Sequence, residues 1–252
     1  MRTNEAKTIS RVLANMPDED LDPLLNLGSS TRNFRICEQP HIDAEIFAPL
    51  RKRGVTIIHA DMKAADGVDL VGDVYDPEYR ARILKLSPGM VLCSNMLEHL
   101  EDREGFVAMC DKMLNPKGTI FFTVPLDYPY HQDPIDTYYR PRPEEIAGLL
   151  PGYEVIWSEI VEDTCHKDDF KMLSGREKLR QILSLWKAPV LYFTDRKRFL
   201  SRYHRWAWWN RPFRVSCILL RKPARYHSGE DSTAAPLDAS VDTGHGPPIS
   251  RR

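Results

Sequence analysis

The sequence predicts an α/β protein with a doubly wound, mostly parallel seven-stranded sheet, and three observations lead there. Short apolar runs alternate with amphipathic stretches of helical spacing from about residue 24 to residue 150. Strands alternating with helices at this interval imply right-handed crossovers. Several runs also stop at a glycine, a serine or an aspartate, and the carboxyl ends of strands are where ligands collect in open α/β sheets.

Taken in order, residues 4–15 space Ile9, Val12 and Leu13 on one helical face, and Pro17 with the acidic run after it ends that helix. Residues 24–27 (LLNL) form a short buried strand that stops at a tight turn of Gly28, Ser29 and Ser30. A helix over 42–53 follows, with Gly54 as its C-terminal cap. Two strands come next: β-branched 55–59, closing on Asp61, and 67–71, closing on Gly72 and Asp73. A helix over 77–86 has proline in its first turn. The fourth strand, 90–93, ends at Ser94 and Asn95. A helix over 98–114 is broken by the turn Asn115, Pro116, Lys117, Gly118, and a fifth strand covers 119–124. The polar, proline-rich stretch 126–140 is a loop of a length that is usually functional. A helix starting at Pro143, a sixth strand over 153–160 and a seventh over 215–220 complete the sheet. Between the last two strands lies a basic, aromatic helical insertion.

The 252 residues, 42% hydrophobic, suffice for one large core. Their expected division is an N-terminal helix (1–20), a main domain (21–223, with the insertion at 165–212) and a disordered tail (224–252) rich in small polar residues. Thirty-five basic against thirty-six acidic side chains give no global field for nucleic acid, which is not an expected partner. Five cysteines without a CxxC pair suit a reducing cytoplasm better than a disulfide framework. No run approaches the ~18 apolar residues of a membrane span. Cys165, His166, Asp168 and Asp169 lie close in sequence, but four such side chains with no second cluster make a poor ligand set, and no metal is expected.

Taken together, the strand-end blocks LNLGSS, HADMKAADGVDLVGDV, MVLCSNMLEHL, NPKGTIFFTVP and YHQDPIDTYYRPRPEEI resemble those of class I S-adenosylmethionine-dependent methyltransferases of the small-molecule type. The resemblance spans residues 24–150 and implies a Rossmann-like sheet and S-adenosylmethionine as cofactor. In the family's first motif, an acid is followed by three alternate glycines; Asn26, Gly28, Ser30 and Arg32 hold those places here, so one glycine remains. The resemblance makes Asn26, Gly28 and Ser29 contacts to the methionyl part and Asp61 the acid for the ribose hydroxyls. It makes Asp73 the acceptor for the adenine amino group, and Ser94, Asn95 and Met96 the lining of the methionyl side.

The loop after the fifth strand resembles the substrate-side loop of members associated with cell-surface polysaccharide assembly. That implies O-methylation of a saccharide or related cell-envelope precursor. An alcohol acceptor profits from a general base, and His131 is the expected catalytic residue, with Asp133 or Asp136 steadying its tautomer. His99 reads as a packing residue beside the pocket. For the basic aromatic stretch, three readings stand: core-completing helices, peripheral contact with an anionic membrane through 186–213, and stacking of a saccharide on tryptophan. Two other functions stay open: a non-catalytic, degenerate member that only binds, and a nicotinamide-dependent oxidoreductase, since a glycine turn followed by an acid also suits a dinucleotide.

Overall fold

The computed structural model describes residues 1–131 and 135–224. Helices α1 (Thr3–Ala14) and α2 (Asp18–Leu21) precede β1 (Leu24–Leu27). A wide helical turn at Phe34–Glu38 leads through α3 (Pro40–Ile42) and a second wide turn to α4 (Ala48–Lys52) and β2 (Ile57–Asp61). Then come β3 (Leu70–Val71), α5 (Pro77–Leu84), β4 (Met90–Ser94), α6 (Arg103–Met113), β5 (Thr119–Asp127) and α7 (Pro143–Ala147). The chain closes with β6 (Glu154–Cys165), the helices α8 (His166–Met172), α9 (Gly175–Ser184), α10 (Ala188–Thr194) and α11 (Arg196–Tyr203), and β7 (Pro212–Arg221).

The seven strands lie in the order β3-β2-β1-β4-β5-β7-β6, parallel except for β7, which runs antiparallel to both neighbours. The predicted sheet is thus present, with the insertion before its last strand. From β1 the chain steps outward to β2 and β3, then returns to the other side of β1 as β4. The crossovers diverge there, which makes the carboxyl ends of β1 and β4 the place where a ligand crevice is expected in such a sheet.

Alternation along the strands divides the core between the two faces. Val91 and Cys93 of β4 join Leu25, Leu27, Ile120, Phe122 and the apolar stripe of α6 on one face. Met90 and Leu92 join Leu24, Phe121, Phe47 and the Ala6, Ile9 and Leu13 stripe of α1 on the other. Each such large side chain contributes roughly 1.5–3 kcal/mol on burial. The N-terminal helix is therefore built into the same core as the sheet.

Local differences from the sequence reading have physical causes. The third strand shortens to two residues because it is an edge whose only partner is β2. The helix expected from residue 98 starts at Arg103, because the Asp102 side chain caps it by accepting from the Gly105 N–H at 2.8 Å. Residues 42–53 are helical but widened at Asp43–Phe47, ahead of Pro49, which has no N–H for the regular ladder. The sixth strand runs on to Cys165 because β7 pairs with it as far as Pro212. Asp133 and residues 225–252, the bulk of the expected tail, fall outside the described residues.

Candidate functional site

The register Leu27 beside Ala60 and Cys93, with Asp61 beside Val71, brings the ends of β1, β2, β3 and β4 to one rim. At the centre of that rim the chain leaves β1 through Gly28, at φ 70°, and Ser30, at φ 54°. A side chain on Gly28 would be strained by that backbone, and its Cβ would stand 3.1 Å from Met96 Sδ. Gly28 and Ser29 give their N–H groups to the Ala60 carbonyl (2.9 and 3.1 Å), which folds the loop over β2. There Asp61 collects it: Oδ2 accepts the Ser30 N–H at 2.7 Å and Oδ1 the Lys63 N–H at 3.0 Å. Asp73 is exposed and caps its own turn, accepting from the Tyr75 N–H at 2.9 Å.

Arg32, at the third glycine position, does not enter the crevice; its side chain is exposed and faces Asp66 at 3.8 Å. Arg35, which sequence reasoning missed, is 4% exposed and donates to the carbonyls of Ser29 (3.0 Å), Ser30 (2.6 Å) and Gly67 (2.7 Å). It ties the first loop to the loop between β2 and β3. Such a clamp has no local sequence signature, because its three acceptors are backbone oxygens. Asn26 is buried and pairs sideways with β2, its Nδ2 3.0 Å from His59 Nδ1. Burial, then the charge of Arg35, pulls His59 down to about 4, so the imidazole is neutral and accepts from Asn26.

At the β4 side, Ser94 Oγ is buried with no hydrogen-bond partner among the described residues. Asn95, at φ 51°, turns its amide to Glu5 Oε1 at 2.7 Å. Glu5 is 1% exposed and also accepts from Thr123 Oγ1 (2.6 Å) and the Arg2 N–H (3.0 Å). Helix α1 thereby lays a carboxylate across the ends of β4 and β5, a contribution that its short amphipathic pattern gave no reason to expect.

Next to this lies a second polar group, built by the turn after β4 and the loop after β5, which the sheet holds side by side. Glu98 is fully buried, with His99 Nε2 3.7 Å and His131 Nε2 3.6 Å from its Oε1. The two imidazoles meet edge to face, 5.2 Å between centroids. Asp136 receives the His131 N–H (3.1 Å) and both arms of Arg140 (2.6 and 3.0 Å). Burial pushes the Asp136 carboxyl upward, but the Arg140 fork and the two backbone donors outweigh it and hold the group below the usual carboxylate range. Asp136, rather than the undescribed Asp133, is thus the carboxylate seen beside His131.

The cluster of Cys165, His166, Asp168 and Asp169 does not converge. Asp168 binds Lys171 and the Cys165 thiol, Asp169 binds Arg2, and His166 meets Trp206 and Trp209 edge to face. The basic aromatic stretch divides as well. Trp206 and Trp209 stack on one another, and Tyr203, Trp208 and Phe213 are buried, as the core-completing reading expects. Trp186 (69% exposed) and Phe193 (84%) face outward, and so do Leu179, Ile182 and Leu183 of α9. No helix among the described residues is long and apolar enough to cross a membrane.

No family model matches the sequence, and no curated protein does. Among solved structures, the chain is similar to a SAM-dependent methyltransferase from Archaeoglobus fulgidus (14% identity, 85% of this chain and 93% of that one, TM-score 0.44). It is also similar to coclaurine N-methyltransferase with N-methylheliamine and SAH (12%, 86% and 71%, 0.48) and to the [4+2]-cyclase SpnF (12%, 87% and 81%, 0.42). These likenesses assign no activity to this chain, which rests on the residues at the crevice.

Proposed function

We propose that this protein is an S-adenosylmethionine-dependent methyltransferase, and the observation that carries the reading is the meeting of Gly28, Asp61 and Ser94 at strand ends around the β1/β4 switch point. The residues there fit the cofactor. A carboxylate offers about four acceptor positions, and Asp61 spends one per oxygen on backbone, which leaves two for a ribose diol. Gly28 takes a left-handed turn beside the Met96 side chain, and Ser94 Oγ is a buried hydroxyl with no partner among the described residues. Met62, 62% exposed beside Asp61, offers a thioether surface for a heterocycle. In this reading Asp61 binds the diol, Asp73 accepts from the adenine amino group, and Asn26, Ser29, Asn95 and Met96 shape the methionyl end.

When bound, the cofactor supplies a methyl group already activated on a cationic sulfur. The chain's task is then mainly orientation, which supplies roughly 7–11 kcal/mol of such a barrier. For an oxygen acceptor, a saccharide or related cell-envelope precursor, the proton is taken up by the group of Glu98, His99 and His131, with His131 at its rim. The outward Leu179, Leu183 and Trp186, flanked by Arg176, Arg180 and Lys187 around a cavity of about 480 Å³, together with the exposed Phe193 of α10, support contact with an anionic membrane surface. That surface centres on α9 and α10 rather than on the whole of 186–213.

Calorimetric titration tests the reading: S-adenosylhomocysteine binds the wild type and not Asp61→Ala. Binding of NAD in its place overturns it in favour of an oxidoreductase. Binding of S-adenosylhomocysteine without label transfer from methyl-labelled cofactor to any fraction of a cell-envelope extract favours the non-catalytic alternative.

A further inference from the structure

We propose that Glu98, His99 and His131 together bind one divalent first-row transition-metal ion. One donor atom from each of the three residues lies within 4.8 Å of the donor atoms of the other two. The separations of 3.6 and 3.7 Å between the imidazoles and Glu98 Oε1 are too long for hydrogen bonds. They are close to the spacing of ligands that share one ion, since donors about 2.0–2.2 Å from a tetrahedral centre stand roughly 3.3–3.6 Å apart.

Two further observations point to an ion rather than to an accidental meeting of side chains. The Glu98 carboxylate is fully buried, and neither oxygen has a hydrogen-bond partner among the described residues. Burying a carboxyl without donors is costly, and a cation bound to its oxygens removes that cost. His99 is also turned by its other nitrogen, Nδ1 donating to the Ile135 carbonyl. His131 Nδ1 has no hydrogen-bond partner among the described residues; this residue is placed instead through its backbone N–H, which donates to Asp136 Oδ2 at 3.1 Å, itself fixed by Arg140. A proton on His99 Nδ1 leaves its Nε2 lone pair free for an ion beside Glu98, which is the orientation that an outer carbonyl imposes on a metal-bound imidazole.

Two imidazoles and one carboxylate suit Zn²⁺, Fe²⁺ or Mn²⁺ better than Mg²⁺ or Ca²⁺, which prefer all-oxygen sets. Three protein ligands leave positions open. Resting on the methyltransferase reading above, those positions would take an oxygen of the acceptor, and the ion would orient it and lower the pKa of a hydroxyl there. His131 would then act as a ligand, and the ion would supply the activation otherwise asked of a base.

The experiment is a titration of the chelator-stripped full chain with Co²⁺, without cofactor, followed by visible absorption and by competition with Zn²⁺. One equivalent per chain is expected, with a d–d band of nitrogen and oxygen coordination. Glu98→Gln and His131→Ala abolish the band. X-ray absorption of the Zn²⁺-loaded wild type, expected to show two imidazoles at about 2.0–2.1 Å, decides the matter should the variants not fold. The absence of a stoichiometric band, a band that persists in both variants, or a zinc shell without imidazole overturns the proposal. Binding of S-adenosylhomocysteine is read separately, so loss of the metal site leaves the methyltransferase reading standing, and the reverse.

Discussion

At the β2 end of the crevice, Asp61 meets two backbone N–H groups and keeps part of its surface open; at the β4 end, Glu98 is fully buried and meets none among the described residues. Asp61 ends a parallel strand, and Glu98 lies in the turn that follows another. The difference lies in who satisfies them. Asp61 is held by its own loops, so a ligand there adds to an arrangement already in place. Glu98 is flanked only by imidazole nitrogens beyond hydrogen-bond distance, so a ligand there completes one. Removing each carboxylate should therefore act on stability with opposite sign.

The largest effect is expected for Asp61→Ala. It orphans the N–H groups of Ser30 and Lys63 and removes the proposed diol acceptor at once. With hydrogen bonds to a charged group worth about 1.5–3 kcal/mol each, discounted for partial exposure, the folded state should lose about 2–3 kcal/mol. Affinity for S-adenosylhomocysteine should fall by at least about 100-fold, the loss of a bidentate, charge-assisted contact. Thermal melts and calorimetry measure the two. A variant that melts and binds like the wild type would break the comparison at its β2 end.

Glu98→Gln probes the other end. In metal-free protein it replaces a buried carboxyl with no hydrogen-bond partner among the described residues by a neutral isostere, so the variant should be more stable, by on the order of 1 kcal/mol. The same variant in Zn²⁺-loaded form should lose its advantage, because only the wild type gains from the ion. Paired thermal melts with and without metal read both halves. A metal-free Glu98→Gln that melts below the wild type would show that the carboxylate is already satisfied.

The contrast also explains what the sequence made legible. Gly28, Asp61 and Asp73 are local features, since each ends a strand or opens a turn and can be picked out from the residues around it. The α/β alternation is local in the same sense, and the parallel sheet follows from it. The union of Glu98, His99 and His131 depends on β4 and β5 being neighbours, which aligns the loops that follow them. A strand-end EH pair and a histidine in the loop after the next strand were the available signal, but His99 alone reads as a packing residue. Glu5 is less legible still, because a charged residue on a short amphipathic helix normally faces water, and its burial depends on where that helix docks.

Gly28→Ala should have a smaller effect, and one that divides into two parts. A left-handed conformation costs a residue with a Cβ about 1–2 kcal/mol, and the new methyl must also displace Met96 Sδ from 3.1 Å. Adding Met96→Ala removes the contact and leaves the backbone cost. The double variant should therefore recover part of the affinity for S-adenosylhomocysteine lost in Gly28→Ala. Full recovery would mean that the backbone conformation is unimportant; no recovery would mean that the thioether already yields.

The smallest expected effect concerns pH, and it sharpens the comparison because it reaches the β1–β2 end through the layer beneath. His59 titrates near 4 in the folded chain against about 6.5 when unfolded, owing to burial and to Arg35. A histidine with a depressed folded pKa favours the folded state fully above 6.5, and that contribution is lost progressively as the pH falls towards 4. Protonation places a second proton against the Asn26 amide, where Nδ1 had been the acceptor, so the strain falls on the pair that supports the Gly28 turn. Discounted for partial exposure, the loss should be about 1 kcal/mol at pH 5. His59→Asn should flatten the fall in melting temperature between pH 6.5 and 5, a range above the carboxylate titrations that dominate acid unfolding. A slope unchanged by that substitution would remove His59 as its cause and leave the β2 end indifferent to pH in this range.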